Sequence, residues 1–230
     1  MTPEFLQWDS DHFGVRIART HAPRNTPDWR AVDDWAFNNQ INCLYVFATN
    51  KDSAAIKLAE EHAARCMDER IILEAIGSNA SAVSGLRMAE QADLAELEAI
   101  AASSFIDSRF FRDPNFPRER CEGLFRTWIR KSVHGYARAV LVAGEIGAPT
   151  GFVTCRDEKI DLLAVAGSSR GRGIGALLTN GATHWFASQC VRRVSVLARS
   201  SNDSAIRLYK RCGFVPASTE FVFHKWYTRP

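Results

Sequence analysis

Between Leu162 and Leu178 the sequence reads Leu-Leu-Ala-Val-Ala-Gly-Ser-Ser-Arg-Gly-Arg-Gly-Ile-Gly-Ala-Leu-Leu, an apolar run, a stretch with four glycines and two arginines, and a second apolar run. The pattern is that of a buried strand entering a glycine-rich loop that opens into a helix. Glycine lets the backbone bend closely round a ligand. The unpaired amides of a helix start point outward, at the positive end of the helix dipole. Such a loop is an anion cradle suited to a pyrophosphate, with Arg170 and Arg172 adding charge at its rim. The competing reading is a solvated turn, but Gly171, Gly173 and Gly175 ahead of an apolar helix have little packing rationale. Gly171-x-Gly173-x-x-Ala176 also matches the dinucleotide fingerprint formally. That fold sets its first glycine close behind the strand and needs further βαβ units. Here residues 166–170 intervene and too little chain remains. No G-x-x-x-x-G-K-S/T occurs, so a P-loop is excluded.

A sheet and its helices must hold these residues. Residues 138–145, 151–156 and 159–166 read as strands parted by turns at Gly147 and at Asp157 and Glu158, an antiparallel meander. Then come a helix over 174–190, a strand over Arg193–Arg199, a helix over 202–212 stopped by Gly213, and two strands within 214–227. Before the meander, a strand starts at Leu86 and Met88, and Asp93 caps a helix through Ala102. An aromatic-rich linker, 105–116, leads to an amphipathic helix over 118–132. Further upstream, 27–39 reads as a helix, 43–48 as a strand, 53–64 as a helix and 70–76 as a strand. Small turn-formers over 77–85 mark a boundary between a small N-terminal α/β domain, 1–82, and a larger domain, 83–230. The fold class is α/β with a mixed (α+β) sheet. No internal repeat is legible, which excludes a solenoid.

Composition narrows the function classes. The chain has 230 residues, 46% hydrophobic and 24% charged, which excludes disorder and collagen-like repeats. Lys plus Arg number 29 against 26 Asp plus Glu, and a net charge of +3 without a basic run gives no nucleic-acid surface. Apolar runs fall short of a membrane span, and the opening residues, with Glu4 early, lack the order of a secretory leader. A cytoplasmic protein without a membrane partner is expected. Cys43, Cys66, Cys121, Cys155, Cys190 and Cys212 are widely spaced, with no Cys-x-x-Cys pair or Cys/His cluster, so reduced thiols and no metal are expected.

Arg170-Gly-Arg-Gly-Ile-Gly175, after a strand ending in Val165, resembles the acetyl-CoA loop, Gln/Arg-x-x-Gly-x-Gly/Ala, of the GNAT superfamily of N-acetyltransferases. Ser201-Asn202-Asp-Ser-Ala205-Ile-Arg-Leu208-Tyr209-Lys-Arg-Cys-Gly213-Phe214 resembles that superfamily's second signature, and the two stand in the right order and separation. Trp8-Asp-Ser-Asp-His-Phe13-Gly14-Val15, with Ser104-Phe-Ile-Asp-Ser108-Arg109-Phe110 and Trp128-Ile129, extends the likeness to the TDP-fucosamine N-acetyltransferases. Those enzymes acetylate the 4-amino group of a nucleotide-linked 4-amino-4,6-dideoxy sugar for surface polysaccharides. The resemblance implies a GNAT fold with a small N-terminal α/β domain, acetyl-CoA as co-substrate and a nucleotide-sugar acceptor. It also allows a homodimer.

Acetyl transfer to an amine needs a neutral amine, a polarised carbonyl and a proton for the departing sulfur. The strand amides of Leu163 and Val165 are expected to pair with the pantetheine arm, the one at about Val165 donating to the thioester oxygen. Arg170, Gly171, Arg172, Gly173, Ile174 and Gly175 hold the diphosphate. Asn202 and Ala205 belong to the coenzyme site, Asn202 alternatively capping its own helix. Tyr209 is the expected general acid, since a phenol stays protonated at neutral pH; the alternative is a tyrosine packed between helix and sheet. Asp68 and Glu69, at the mouth of strand 70–76, relay a proton or hold the amine, or else are solvated carboxylates. Arg109 can pair with the sugar-linked diphosphate, and Phe110 stacks on the base or anchors the core. His184 and His224 read as satisfied partners. Two other functions stand beside this one. The same fold can acetylate a protein terminus, a lysine or another small amine. A non-catalytic acyl-CoA-binding regulator is the third, and Tyr209 speaks against it because binding alone needs no proton donor.

Overall fold

The computed structural model describes residues 2–76 and 83–227. In chain order the elements are β1 (Glu4–Phe5), α1 (Gln7–Phe13), β2 (Ile17–His21), α2 (Thr26–Asn38), β3 (Cys43–Thr49), α3 (Ser53–Glu61), β4 (Arg65–Ile76) and β5 (Leu86–Met88). There follow α4 (Leu94–Ser104), α5 (Arg109–Arg112), α6 (Arg118–Lys131), β6 (Ala139–Glu145), β7 (Ala148–Arg156), β8 (Lys159–Val165), α7 (Ile174–Ser188), β9 (Arg193–Arg199), α8 (Asp203–Arg211) and β10 (Val215–Trp226). This is a mixed α/β architecture.

The chain forms two compact units. One comprises the residues up to Ile71, Ser108–Arg120 and the chain from Ser218; the other comprises Ile72–Asp107 and Cys121–Ala217. The compact units thus interleave in sequence, where a single division at 82/83 was expected. The cause is that β3 takes its antiparallel partner from β10, Tyr45 facing His224 and Phe47 facing Val222. Residues 77–82 of the expected boundary lie outside the described residues.

In the first unit the strand order is β1-β2-β3-β10-β4. Strand alternation sends Leu44, Val46 and Ala48 to one face, where they bury against Trp29, Val32 and Ala36 of α2 and Ala59 of α3. Helix α2 starts where Asn25 accepts the Asp28 N–H at 2.9 Å, with Pro27 in its first turn. In the second unit the order is β4-β9-β8-β7-β6-β5, with β6 to β8 the expected antiparallel meander and β5 added antiparallel to β6. Asp93, fully buried, ties the start of this unit together. It accepts two guanidinium bonds from Arg87, at 2.7 and 2.8 Å, and the backbone N–H groups of Glu90 and Gly147.

Several element boundaries differ from the sequence pattern. Strand β4 begins at Arg65, where 70 was expected, since Met67 and Asp68 are already buried in it. Helix α3 stops at Glu61, because Ala63 turns left-handed at φ 60°. The two strands expected within 214–227 are one long strand, β10. The short elements α1, β2 and α5 carry too few residues to show a period, and none was anticipated.

A repeat that the sequence does not display emerges from the structure. The run α2-β3-α3-β4 is matched by α7-β9-α8-β10, and after the first helices, of 13 and 15 residues, the partners are equal in length: 7 residues in β3 and β9, 9 in α3 and α8, 12 in β4 and β10. Asp52 caps α3 by accepting from Ala55, and Asn202 caps α8 by accepting from Ala205. Gln40 and Cys190 follow the first helix of each run in the left-handed region, and Ala63 and Gly213 follow the second. Identical residues in the aligned runs are few: Trp35 with Trp185, Val46 with Val196, Ala48 with Ala198, Ala55 with Ala205, Ile56 with Ile206 and Leu58 with Leu208.

Candidate active site

Strand β8 is paired along its whole length with β7, Lys159 facing Arg156 and Val165 facing Gly151, and the register shifts once between Val153 and Cys155. At that bulge the buried Thr154 hydroxyl accepts the Leu162 N–H at 2.9 Å. On its other edge β8 pairs with β9 in parallel at Lys159–Ser195 and Ile160–Val196, and the register goes no further. The two strands therefore part beyond Ile160. Backbone N–H groups alternate sides along a strand. With Leu162 N and Ala166 N bonded toward β7, the amides of Leu163 and Val165 face the parted edge. Strand amides without a strand partner are open to another acceptor, so this edge is suited to an extended, amide-bearing ligand.

The loop after β8 makes one tight turn at Gly167–Ser169, then passes through left-handed glycines at Gly171 (φ 76°) and Gly173 (φ 81°) into α7. A β-carbon at Gly171 or Gly173 would meet nothing within 4 Å, so both glycines are required by conformation and not by crowding. Gly173 is the N-cap of α7 and supplies no side-chain cap; Leu177 is bonded back to it, N to O at 3.0 Å. The N–H groups of Ile174, Gly175 and Ala176 thus have no intrahelical acceptor and sit at the positive end of the helix. Gly175 has an additional reason: a β-carbon there would come within 3.0 Å of Leu208, where α7 packs on α8. The exposed Arg170 folds back so that its Nε donates to the Val165 carbonyl at 3.2 Å, and Arg172 is exposed beside it. Diphosphate and pantetheine both find the donors they need in this cradle and edge, so the residues fit coenzyme A.

Helix α8 brings Asn202, Ala205 and Tyr209 to the same unit. Asn202 uses its side-chain oxygen to cap the helix, accepting Ala205 N at 3.0 Å. Tyr209 is 6% exposed, with its ring 5.8 Å from that of Phe214. Burial pushes its phenol above the ordinary range, so it keeps its proton at every physiological pH.

The remaining sequence-predicted residues lie in the first unit. Asp68 is 6% exposed and Glu69 is exposed, both inside β4 and not at its mouth. Phe110 is 5% exposed and packs with Phe13 and Phe116, so its ring is a core anchor and not a base-stacking wall. Arg109 opens α5 half-buried, its guanidinium carbon 4.0 Å from the Tyr45 ring centre and its Nη1 2.6 Å from His224 Nε2. Since a guanidinium only donates, His224 carries its proton on Nδ1 and donates it to Asp113 at 2.6 Å. Asp113 also accepts from Trp226 Nε1 at 2.8 Å and from Asn115 N at 3.0 Å. Burial pushes His224 down to about 4 and keeps the ring neutral. Burial alone would raise Asp113, but the bonds from His224, Trp226 and Asn115 prevail and hold it at about 2. Asp113 and Tyr45 carried no sequence signal as site residues. The turn residues Asp113-Pro-Asn were the nearest thing to one, because such an Asp usually caps its own loop.

Among the described residues no group of three His, Cys, Asp or Glu side chains could hold a metal, and no helix is long and apolar enough to cross a membrane. All six cysteines are free thiols.

Comparison with known proteins brings the acetyltransferase (GNAT) family, which matches residues 97–214. The spore coat polysaccharide biosynthesis protein SpsD of Bacillus subtilis is 30% identical over 141 residues, covering 60% of this chain and 49% of that protein. The chain thus spans about half the length of SpsD. The dTDP-fucosamine acetyltransferase of Escherichia coli is 25% identical over 233 residues, covering 96% of this chain and 97% of that enzyme. A GCN5-related N-acetyltransferase from Sphaerobacter thermophilus shares the fold, with a TM-score of 0.62 and 18% identity over 97% of this chain and 76% of its own.

Proposed function

The chain belongs to the acetyltransferase (GNAT) family, and from that premise we propose that it acetylates the 4-amino group of a nucleotide-linked 4-amino-4,6-dideoxy sugar, with acetyl-CoA as co-substrate. The observation that carries the acyl-transfer part is the parted β8–β9 edge leading into the left-handed glycines. The sugar acceptor is supported by the full-length likeness to a dTDP-fucosamine acetyltransferase.

Acetyl-CoA supplies a thioester-activated acetyl group when bound. Gly171, Arg172, Gly173, Ile174 and Gly175 grip its diphosphate through backbone N–H groups, and Arg170 adds charge. Leu163 and Val165 align the pantetheine as a further strand would be aligned. The Val165 N–H polarises the thioester oxygen; loss of one such donor in other enzymes costs about 3–4 kcal/mol. Tyr209 holds a proton on its phenol oxygen and delivers it to the departing sulfur. A sugar amine is less basic than lysine, so its neutral form needs no strong base; the proton its nitrogen sheds on acylation passes to solvent, and Tyr209 regains one from solvent.

A thiol-release assay tests the reading against nucleotide-linked amino sugars, lysine peptides and aminoglycosides. Release with nucleotide-linked 4-amino sugars alone is the expected result. Release with peptides or aminoglycosides in their place overturns the acceptor, and binding of acetyl-CoA without release from any amine overturns the enzyme in favour of a regulator.

A further inference from the structure

The first unit holds buried donors that lack acceptors. Tyr45 Oη, Ser108 Oγ and Arg70 Nε are each buried and without a hydrogen-bond partner. All three can donate, and the arginine nitrogen can do nothing else. Native interiors seldom leave such groups unpaired, since each costs the full desolvation of a polar atom. Arg109 lies among them: next to Ser108 in sequence, over the Tyr45 ring at 4.0 Å, and near enough to Arg70 for the two charges to repel. Arg70 is anchored at one end by Glu220, and its side chain remains 21% exposed. Arg109 is anchored at one end by His224, itself fixed by Asp113. Asp9 is the further carboxylate whose charge Arg109 feels. Two tethered guanidinium groups thus stand with the orphan Tyr45 hydroxyl, Ser108 precedes Arg109 in the chain, and the nearby carboxylates of Asp113 and Glu220 are already engaged.

We propose that this cluster is a phosphate-binding site, in which Arg109, Arg70, Tyr45 and Ser108 donate to the diphosphate of a nucleotide-linked ligand while Asp113 and His224 act as positioning residues for Arg109. The identity of that ligand as the acetyl acceptor rests on the function proposed above; the anion site does not. A diphosphate supplies several strong acceptors at once, which is what a set of orphan donors requires, and guanidinium groups bind it with fixed geometry. Arg109 and Arg70 each keep a minor part of their surface open to solvent, which gives the ligand its approach.

Tyr45→Phe separates this site from mere packing. It removes an unpaired hydroxyl from a buried ring, so the fold should hold or gain in thermal stability, whereas affinity for a nucleoside diphosphate should fall about tenfold or more. Calorimetry with dTDP and UDP, on the full chain without acetyl-CoA, reads this directly. Arg109→Lys should weaken the same binding about tenfold or more and leave acetyl-CoA affinity unchanged. His224→Gln, which can still accept from Arg109 and donate to Asp113, should retain most of it. Wild-type affinity in Tyr45→Phe and Arg109→Lys overturns the site, even if nucleotide sugars are acetylated. Binding lost in both variants, with no nucleotide sugar acetylated by the wild type, upholds the site and overturns the acceptor.

Discussion

Tyr209 keeps its proton because the phenolate would have to form in a buried, apolar place. Its proton is therefore in place at neutral pH, as the proposed donor role requires. Tyr209→Phe should lower kcat about 10²- to 10⁴-fold with acetyl-CoA affinity within a few-fold, measured by steady-state kinetics and calorimetry. Undiminished turnover removes the role. His224 and Asp113 make a second prediction, on stability. His224 is depressed from 6.5 to about 4 in the fold, so as pH falls the unfolded chain takes that proton first. Stability is lost from about pH 6.5 down to about 4. Asp113 is depressed from 3.8 to about 2, and its contribution, complete above about pH 4, is lost as pH falls further toward 2. Urea midpoints should decline across both windows, and His224→Gln should flatten the upper one. At this scale the sequence is readable where the partner is local, as with the cap that Asn202 gives its own helix, one of the two uses expected of it. Arg109 shows the opposite case: its partner His224 lies 115 positions away in sequence, and nothing local announces the bond.

Among the elements, the turn into α7 is the one on which the proposed coenzyme site rests. Valine at Gly173 would have to adopt φ near 81°, a region closed to β-branched side chains, although space is open around it. Gly173→Val should therefore abolish acetyl-CoA binding in calorimetry and lower the urea midpoint by strain of about 1–3 kcal/mol. Retained affinity would show that the diphosphate binds elsewhere. The strand, loop and helix of this turn were legible because their glycines and apolar periods are local. The parting of β8 from β9 was not. Nor was the bulge on the opposite edge of β8, at which Thr154 substitutes a hydroxyl for a backbone acceptor, since a threonine inside a strand has no pattern that marks it. Strand β4 was likewise shortened in the reading, since Arg65, Asp68 and Glu69 interrupt its alternation although the backbone continues through them.

At the scale of the whole molecule, the repeated run of elements raises the question of a second coenzyme. A cavity of about 560 Å³ opens at the carboxyl ends of β2 and β3, lined by His21, Arg24, Asp28, Phe47 and Asp52 among others. It holds the place in the first run that the cradle holds in the second, but the features that grip a diphosphate are gone. Pro23 offers no N–H, Asn25 and Asp28 already cap α2, and Arg24 is paired with Asp52. Ala59 stands where Tyr209 stands. Titration should give one acetyl-CoA per chain, and none in Gly173→Val; a second equivalent would contradict this. The repeat escaped the sequence because six scattered identities are too few to raise a period, whereas helix caps and left-handed turns conserve the geometry with different side chains. The first unit also borrows β10 to complete its sheet. A ribosome emits chains at about 5–20 residues per second, and domains whose residues are contiguous can fold as they emerge. This one must wait many seconds with β3 unpaired on one edge, so the nascent protein is exposed to mispairing until β10 has emerged.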